Sequence, residues 1–137
     1  MSSTLLIKSA DLYYGAAQAL YGVTIQCKPG RITAVLGRNG VGKSSTLRAV
    51  TGINNVAAGE IVFDDDVLEK APPYKRARMG IGYVPQGREI FPLLTVRENL
   101  ETGYAGLRYG DRSIPDTIFT LFPVLKSMLG RRGGDLS

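Results

Sequence analysis

A chain of 137 residues with 44% apolar side chains is long enough to build one ordinary domain around its own core, and its composition matches neither a disordered nor a membrane-embedded class. It holds no run of about 18 apolar residues, and Lys8 interrupts the N-terminal stretch where a secretory leader would be apolar, so no direct membrane insertion and a cytoplasmic location are expected. The formal charge of +5 is spread along the chain, which argues against a nucleic-acid partner; one cysteine, Cys27, excludes an internal disulfide, and there is no histidine.

In chain order, residues 4–13 read as a strand closed by Tyr14-Gly15, and a second strand runs from about Tyr21 to Cys27, with Val23, Ile25 and Cys27 alternating toward a core. Lys28-Pro29-Gly30 is a turn, because proline fixes φ at its first central position and glycine accepts a positive φ at its second. It delivers the chain into the apolar run Ile32-Thr33-Ala34-Val35-Leu36, expected as a strand, which is followed by Gly37-Arg38-Asn39-Gly40-Val41-Gly42-Lys43-Ser44-Ser45 and a helix that ends at Gly52.

That nonapeptide fills the pattern G-x-x-x-x-G-K-[ST] with Gly37, Gly42, Lys43 and Ser44. Glycines let successive amide N–H groups turn inward into a nest for anionic oxygens, and the helix that follows adds unpaired N–H groups and the positive end of its dipole. Lys43 is then placed to bridge the outer phosphates of a nucleotide, the Ser44 hydroxyl to reach Mg²⁺, and Ser45 to make a second phosphate contact. Strand, phosphate loop and helix together predict an α/β fold of the P-loop type.

Downstream, residues 59–63 read as a strand, and Asp64-Asp65-Asp66 as a solvated hairpin turn, since adjacent carboxylates diverge and no calcium-loop spacing follows. Residues 72–79 form a short helix opened by prolines and ended by Gly80; Lys70, Lys75, Arg76 and Arg78 are expected on its solvated face. Ile81-Gly82-Tyr83-Val84 suits a buried strand, and Gln86 emerges at its C-terminal end, where open α/β sheets bind ligands. Thr95-Val96-Arg97-Glu98 is a capping box that starts a helix to about Tyr104; a loop spans residues 106–112. A last helix opens at Ser113-Ile114-Pro115-Asp116, carries Ile118, Leu121, Phe122 and Leu125, and breaks near Pro123. Residues 131–137 read as a loop with no closing element behind it.

Taken together these motifs resemble the ATP-binding subunit of ABC transporters over the whole chain. The resemblance implies a P-loop NTPase fold of the ABC-ATPase type, in which residues 1–86 hold an antiparallel β-subdomain with part of the core sheet, and residues 87–137 hold the Q-loop and the start of a helical subdomain. It implies ATP and Mg²⁺ as cofactors, with Tyr14 stacking on adenine, the loop from Gly37 to Ser45 on the phosphates, Lys43 and Gln86 in the catalytic centre, and Ser44 and Gln86 on the metal. Its partners would be a second ATP-binding subunit and transmembrane permease subunits met through residues 86–94, at the inner face of the cell membrane.

Within that family, residues 37–43 and Gly87-Arg88-Glu89-Ile90-Phe91-Pro92 resemble the subunits of urea-type and branched-chain amino acid importers, and residues 121–126 and 131–137 look most like the urea-type one, with the branched-chain amino acid type as the alternative. Leu136-Ser137 matches the first two residues of the signature Leu-Ser-Gly-Gly-Gln. The resemblance therefore implies a truncated chain that lacks the Walker B Asp, the catalytic Glu and the switch histidine, and that is nearly inactive alone while its parent hydrolyses ATP. A GTPase is disfavoured because no Asn-Lys-x-Asp guanine reader is present; a soluble ABC protein without a permease and a non-catalytic nucleotide-binding module are the readings of other classes.

Overall fold

The first strand, β1 (Leu5–Tyr14), pairs antiparallel on both sides, with β2 (Ala17–Cys27) and with β3 (Ala58–Phe63). A two-residue β4 (Asp66–Val67) completes an antiparallel sheet of order β2-β1-β3-β4. The computed structural model describes residues 4–87, 89–106 and 112–136, so Arg88, Ser137 and most of the expected loop at 106–112 lie outside the described residues. These fall into two units, Met1–Tyr83 and Val84–Ser137.

In the first unit β1 is not a plain alternation. Ser9 adopts φ 46° and its N–H donates to Thr24 Oγ1 at 2.9 Å, and the register shifts between Ile7 and Ala10. This bulge brings Ile7, Ala10 and Leu12 onto one buried face. There they meet Leu20 of β2, Ile61 of β3 and Leu68, together with Ala49 and Val50 of the helix α1 (Lys43–Thr51). Burying a Leu or Ile side chain contributes roughly 1.5–3 kcal/mol, so this cluster is what fixes α1 to the sheet. Asp64 closes the β3–β4 turn with φ 55°, and its carboxylate accepts the Thr4 N–H at 2.8 Å, a structural use for one of the three neighbouring acids. Cys27 ends β2 half-buried rather than in the core.

Two expected strands do not form. Residues 32–36 run without a ladder, Ile32 being 99% and Leu36 88% exposed, and residues 81–84 likewise have no strand, Val84 being 91% exposed. A strand needs a neighbour to take its N–H and C=O groups, and among the described residues no strand pairs with either run.

The helix α2 (Pro73–Arg78) starts behind Pro72 as the prolines require. One residue on it departs from expectation. Arg76, assigned to a solvated face, is 2% exposed, because its guanidinium is used inside.

The second unit is built around α3 (Val96–Glu101), whose capping box is complete: Thr95 Oγ1 accepts the Glu98 N–H, and Glu98 accepts the Thr95 N–H at 2.7 Å. The helix passes into a 3₁₀ turn at Thr102–Gly106 instead of continuing to Tyr104. Asn99 holds the preceding loop, donating to the carbonyls of Phe91, Leu94 and Thr95 while its Oδ1 accepts the Phe91 N–H. The chain breaks at Pro123 as expected, between α4 (Asp116–Leu121) and α5 (Val124–Met128), but neither helix contributes a buried residue. Residues 131–136 are not a free loop. They return beside residues 92–97, with Val96 N–H to Arg131 O at 2.8 Å, Gly133 N–H to Leu94 O at 2.8 Å and an antiparallel bridge between Thr95 and Arg132. A 3₁₀ turn at Gly133–Asp135 ends the described chain.

Candidate nucleotide-binding site

Lys43 opens α1, and Gly42 precedes it at φ 98°. That φ favours glycine, and the site has no room for more: a Cβ on Gly42 would stand 2.6 Å from the Ala19 carbonyl oxygen and 2.7 Å from Leu20 Cδ2. The loop therefore rests directly on β2. Thr46, buried, donates its hydroxyl to Gly42 O at 3.0 Å and ties the first turn to the loop from within.

The N-terminus of α1 has no side-chain cap and no acidic residue in its first turn. Its orphan N–H groups and the positive end of the helix dipole are directed at the loop, the arrangement that favours an anion. Lys43 arches back, its Nζ donating to Gly37 O at 2.8 Å and Arg38 O at 2.6 Å, so the ammonium stands over the loop that would carry the charge of a phosphate. Arg38, Asn39 and Val41 are exposed on the loop surface, as is Ser44 on the first turn, and Gly40 sits at φ 82°.

Tyr14, at the end of β1, is 43% exposed, and its hydroxyl donates to Ser45 Oγ at 3.2 Å. The end of β1 and the first turn of α1 are thus joined side chain to side chain. Sequence reasoning missed Arg48, one turn further along α1. Hydrogen bonds to the phenols of Tyr83 first and Tyr14 second hold its pKa above the ordinary arginine range. Nothing in residue order pairs these groups; only the packing of β1 and of the segment that carries Tyr83 against α1 does. Gln86 belongs to the second unit and is exposed at a bend before Gly87 (φ 95°). Among the described residues no group of three or more His, Cys, Asp or Glu side chains is placed to hold a metal ion, and no helix is long and apolar enough to cross a membrane.

The family model for ABC transporter matches residues 20–133. The chain belongs to that family. It is 37% identical over 134 residues to the high-affinity branched-chain amino acid transport ATP-binding protein BraG of Pseudomonas aeruginosa, covering 97% of this chain and 58% of that one. It is 34% identical over 125 residues to the probable branched-chain amino acid transport ATP-binding protein LivF of Archaeoglobus fulgidus, covering 90% and 53%. Among solved structures it superposes on the ADP conformation of an ATP-binding cassette of an ABC transporter with a TM-score of 0.72 and 25% identity, over 100% of this chain and 60% of that one. The fold is that of an ABC-type P-loop cassette, and the chain spans just over half the length of the curated relatives it matches.

Proposed function

We propose that this chain is the nucleotide-binding part of an ATP-driven importer subunit, with solutes of the branched-chain amino acid class. The uncapped N-terminus of α1, joined to a glycine loop with Lys43 folded over it, carries the nucleotide reading. The solute class has its support in the names of BraG and LivF. The urea-type reading, which the sequence pattern placed first, is supported only by the residue pattern at 121–126 and 131–137 and ranks second.

The residues fit a bound nucleotide: the cradle at Gly42 excludes a Cβ, the N-terminus of α1 has no side-chain cap, and no carboxylate opposes the charge in the first turn. In this reading the N–H groups of residues 40–45 and Lys43 hold the phosphates, and the exposed ring of Tyr14 stacks on adenine while its hydroxyl stays on Ser45. Ser44 is the oxygen donor the first unit would give to Mg²⁺, an ion that takes few protein ligands beside phosphate oxygens. Bound Mg-ATP supplies the phosphoanhydride whose cleavage powers transport in the parent subunit. A second ATP-binding subunit and a permease complete the assembly at the inner membrane face, the permease meeting residues 86–94, where Phe91 and Leu93 are 56% and 81% exposed.

Titration of the chain with fluorescent ATP, GTP and ADP analogues tests the reading. ATP and ADP bind in preference to GTP, and Lys43→Ala loses charged hydrogen bonds worth about 2 kcal/mol, roughly 30-fold in Kd. Equal affinity of parent and variant overturns the assignment. Phosphate release from Mg-ATP by this chain stays near background; turnover that disappears in Lys43→Ala would show the chain to be a complete catalyst.

A further inference from the structure

The helix α1 is held at both ends. Its N-terminal end rests on β2 through Gly42, and its C-terminal end runs into Arg76. The carbonyls of the last turn of any helix lack intrahelical partners. Here Arg76 Nη1 donates to Ala49 O at 2.7 Å and Val50 O at 2.9 Å, Nη2 to Leu68 O at 2.6 Å and Nε to Ala71 O at 2.7 Å. Four guanidinium N–H donors are thus spent on main-chain oxygens from α1 and from the corner between β4 and α2. Gly52 is shaped to this contact. It caps α1 at φ 79°, and a Cβ on it would stand 2.8 Å from Nε and 2.9 Å from Cζ. The main-chain carbonyl of Arg76 also accepts the Ile81 N–H at 3.1 Å, at the start of the segment that carries Tyr83 to Arg48 on α1.

We propose that Arg76 is a positioning residue for the phosphate site: by clamping the C-terminal end of α1 it sets the helix axis, and with it the direction in which the first-turn N–H groups face a polyphosphate. The lever is long enough to matter. A nine-residue helix spans about 13 Å, so a tilt of about 10° at its anchored end moves its N-terminus by roughly 2 Å, against a hydrogen-bond tolerance of about 0.5 Å. No other side chain offers the planar fork that four carbonyls from two elements require; a lysine brings one nitrogen.

The inference rests on the nucleotide reading above, and the test separates the two. In the ¹⁵N-labelled chain, the exchange rate of the Arg76 Nε–H is measured with and without saturating Mg-ADP, binding being recorded independently with a fluorescent ADP analogue. Because coupling between two sites is reciprocal, ADP slows the exchange at least fivefold. An unchanged rate with ADP bound overturns the role of Arg76 alone, whereas absence of ADP binding overturns both readings. Arg76→Lys, assayed where circular dichroism shows it folded, loses about tenfold in ADP affinity, while Arg78→Lys on the same helix binds as the parent does. A Kd for Arg76→Lys within twofold of the parent overturns the proposal, and should that variant not fold, the exchange measurement on the parent decides.

Discussion

β1 and the run at 32–36 are both apolar segments of strand length, and they meet opposite fates. Ile7 and Leu12 of β1 are 3% and 0% exposed, Ile7 paired with Ile25 of β2 and Ile61 of β3, Leu12 with Leu20 of β2, and both packed in one cluster with a helix. Ile32 and Leu36 are 99% and 88% exposed, and among the described residues no strand pairs with their run. Hydrophobicity and β-propensity are properties of a segment, but strand formation is a property of a pair, because every peptide unit taken from water must find a donor or acceptor across the ladder. The phosphate loop sits on the boundary between these regimes. Its C-terminal side is anchored through α1 and Gly42, and its N-terminal side hangs from an unpaired segment.

The contrast can be broken most directly by truncation. Leu12→Ala removes a fully buried side chain and costs about 2–5 kcal/mol, read as a lower midpoint in urea; a loss below 1 kcal/mol would mean the sheet is not the stable part. Amide exchange sharpens the same point without mutation. Paired residues such as Ile7 and Leu12 exchange about 10³-fold or more slower than residues 32–36, which run near the unprotected rate. Exposed apolar runs also predict self-association, so light scattering reports a species larger than a monomer, and a monodisperse monomer with a cooperative thermal transition contradicts this.

Smaller effects lie in the second unit. Thr95→Ala removes the helix cap and costs about 1 kcal/mol. The hydrogen bonds from Thr95, backbone first and hydroxyl second, hold Glu98 below the usual carboxylate range. A depressed pKa contributes stability that is present above the unfolded value and lost as pH falls through the folded one, so acid titration of this unit shows a loss below the ordinary glutamate range, which Thr95→Ala reduces without abolishing because the backbone N–H at 95 stays on Glu98. Smallest of all, Leu36→Ala stays within about 0.5 kcal/mol of the parent, since the side chain is already in water.

Where a rule is local, the residues were enough. The turn at Lys28-Pro29-Gly30 forms with Arg31 N–H on Lys28 O, α1 ends at Gly52, the Thr95–Glu98 box closes, and the chain breaks at Pro123. Each depends on a few neighbouring φ angles or one short-range hydrogen bond, which composition and spacing encode. The glycine loop and Lys43 were legible for the same reason.

What the tertiary structure alone decided are the long-range partners. Residues 32–36 and 81–84 have the composition of strands and remain unpaired; Cys27 follows a core alternation and stays half-buried. Arg76 is indistinguishable by position from Arg78, yet one is buried on four carbonyls and the other stands over the Tyr74 ring at 5.8 Å. The contact of Tyr14 with Ser45 and the return of residues 131–136 along residues 92–97 likewise join groups far apart in the chain. The physical reason is common to all of them. A side chain's capacity to pair is written in its chemistry, but whether its partner arrives is settled only by how distant segments pack.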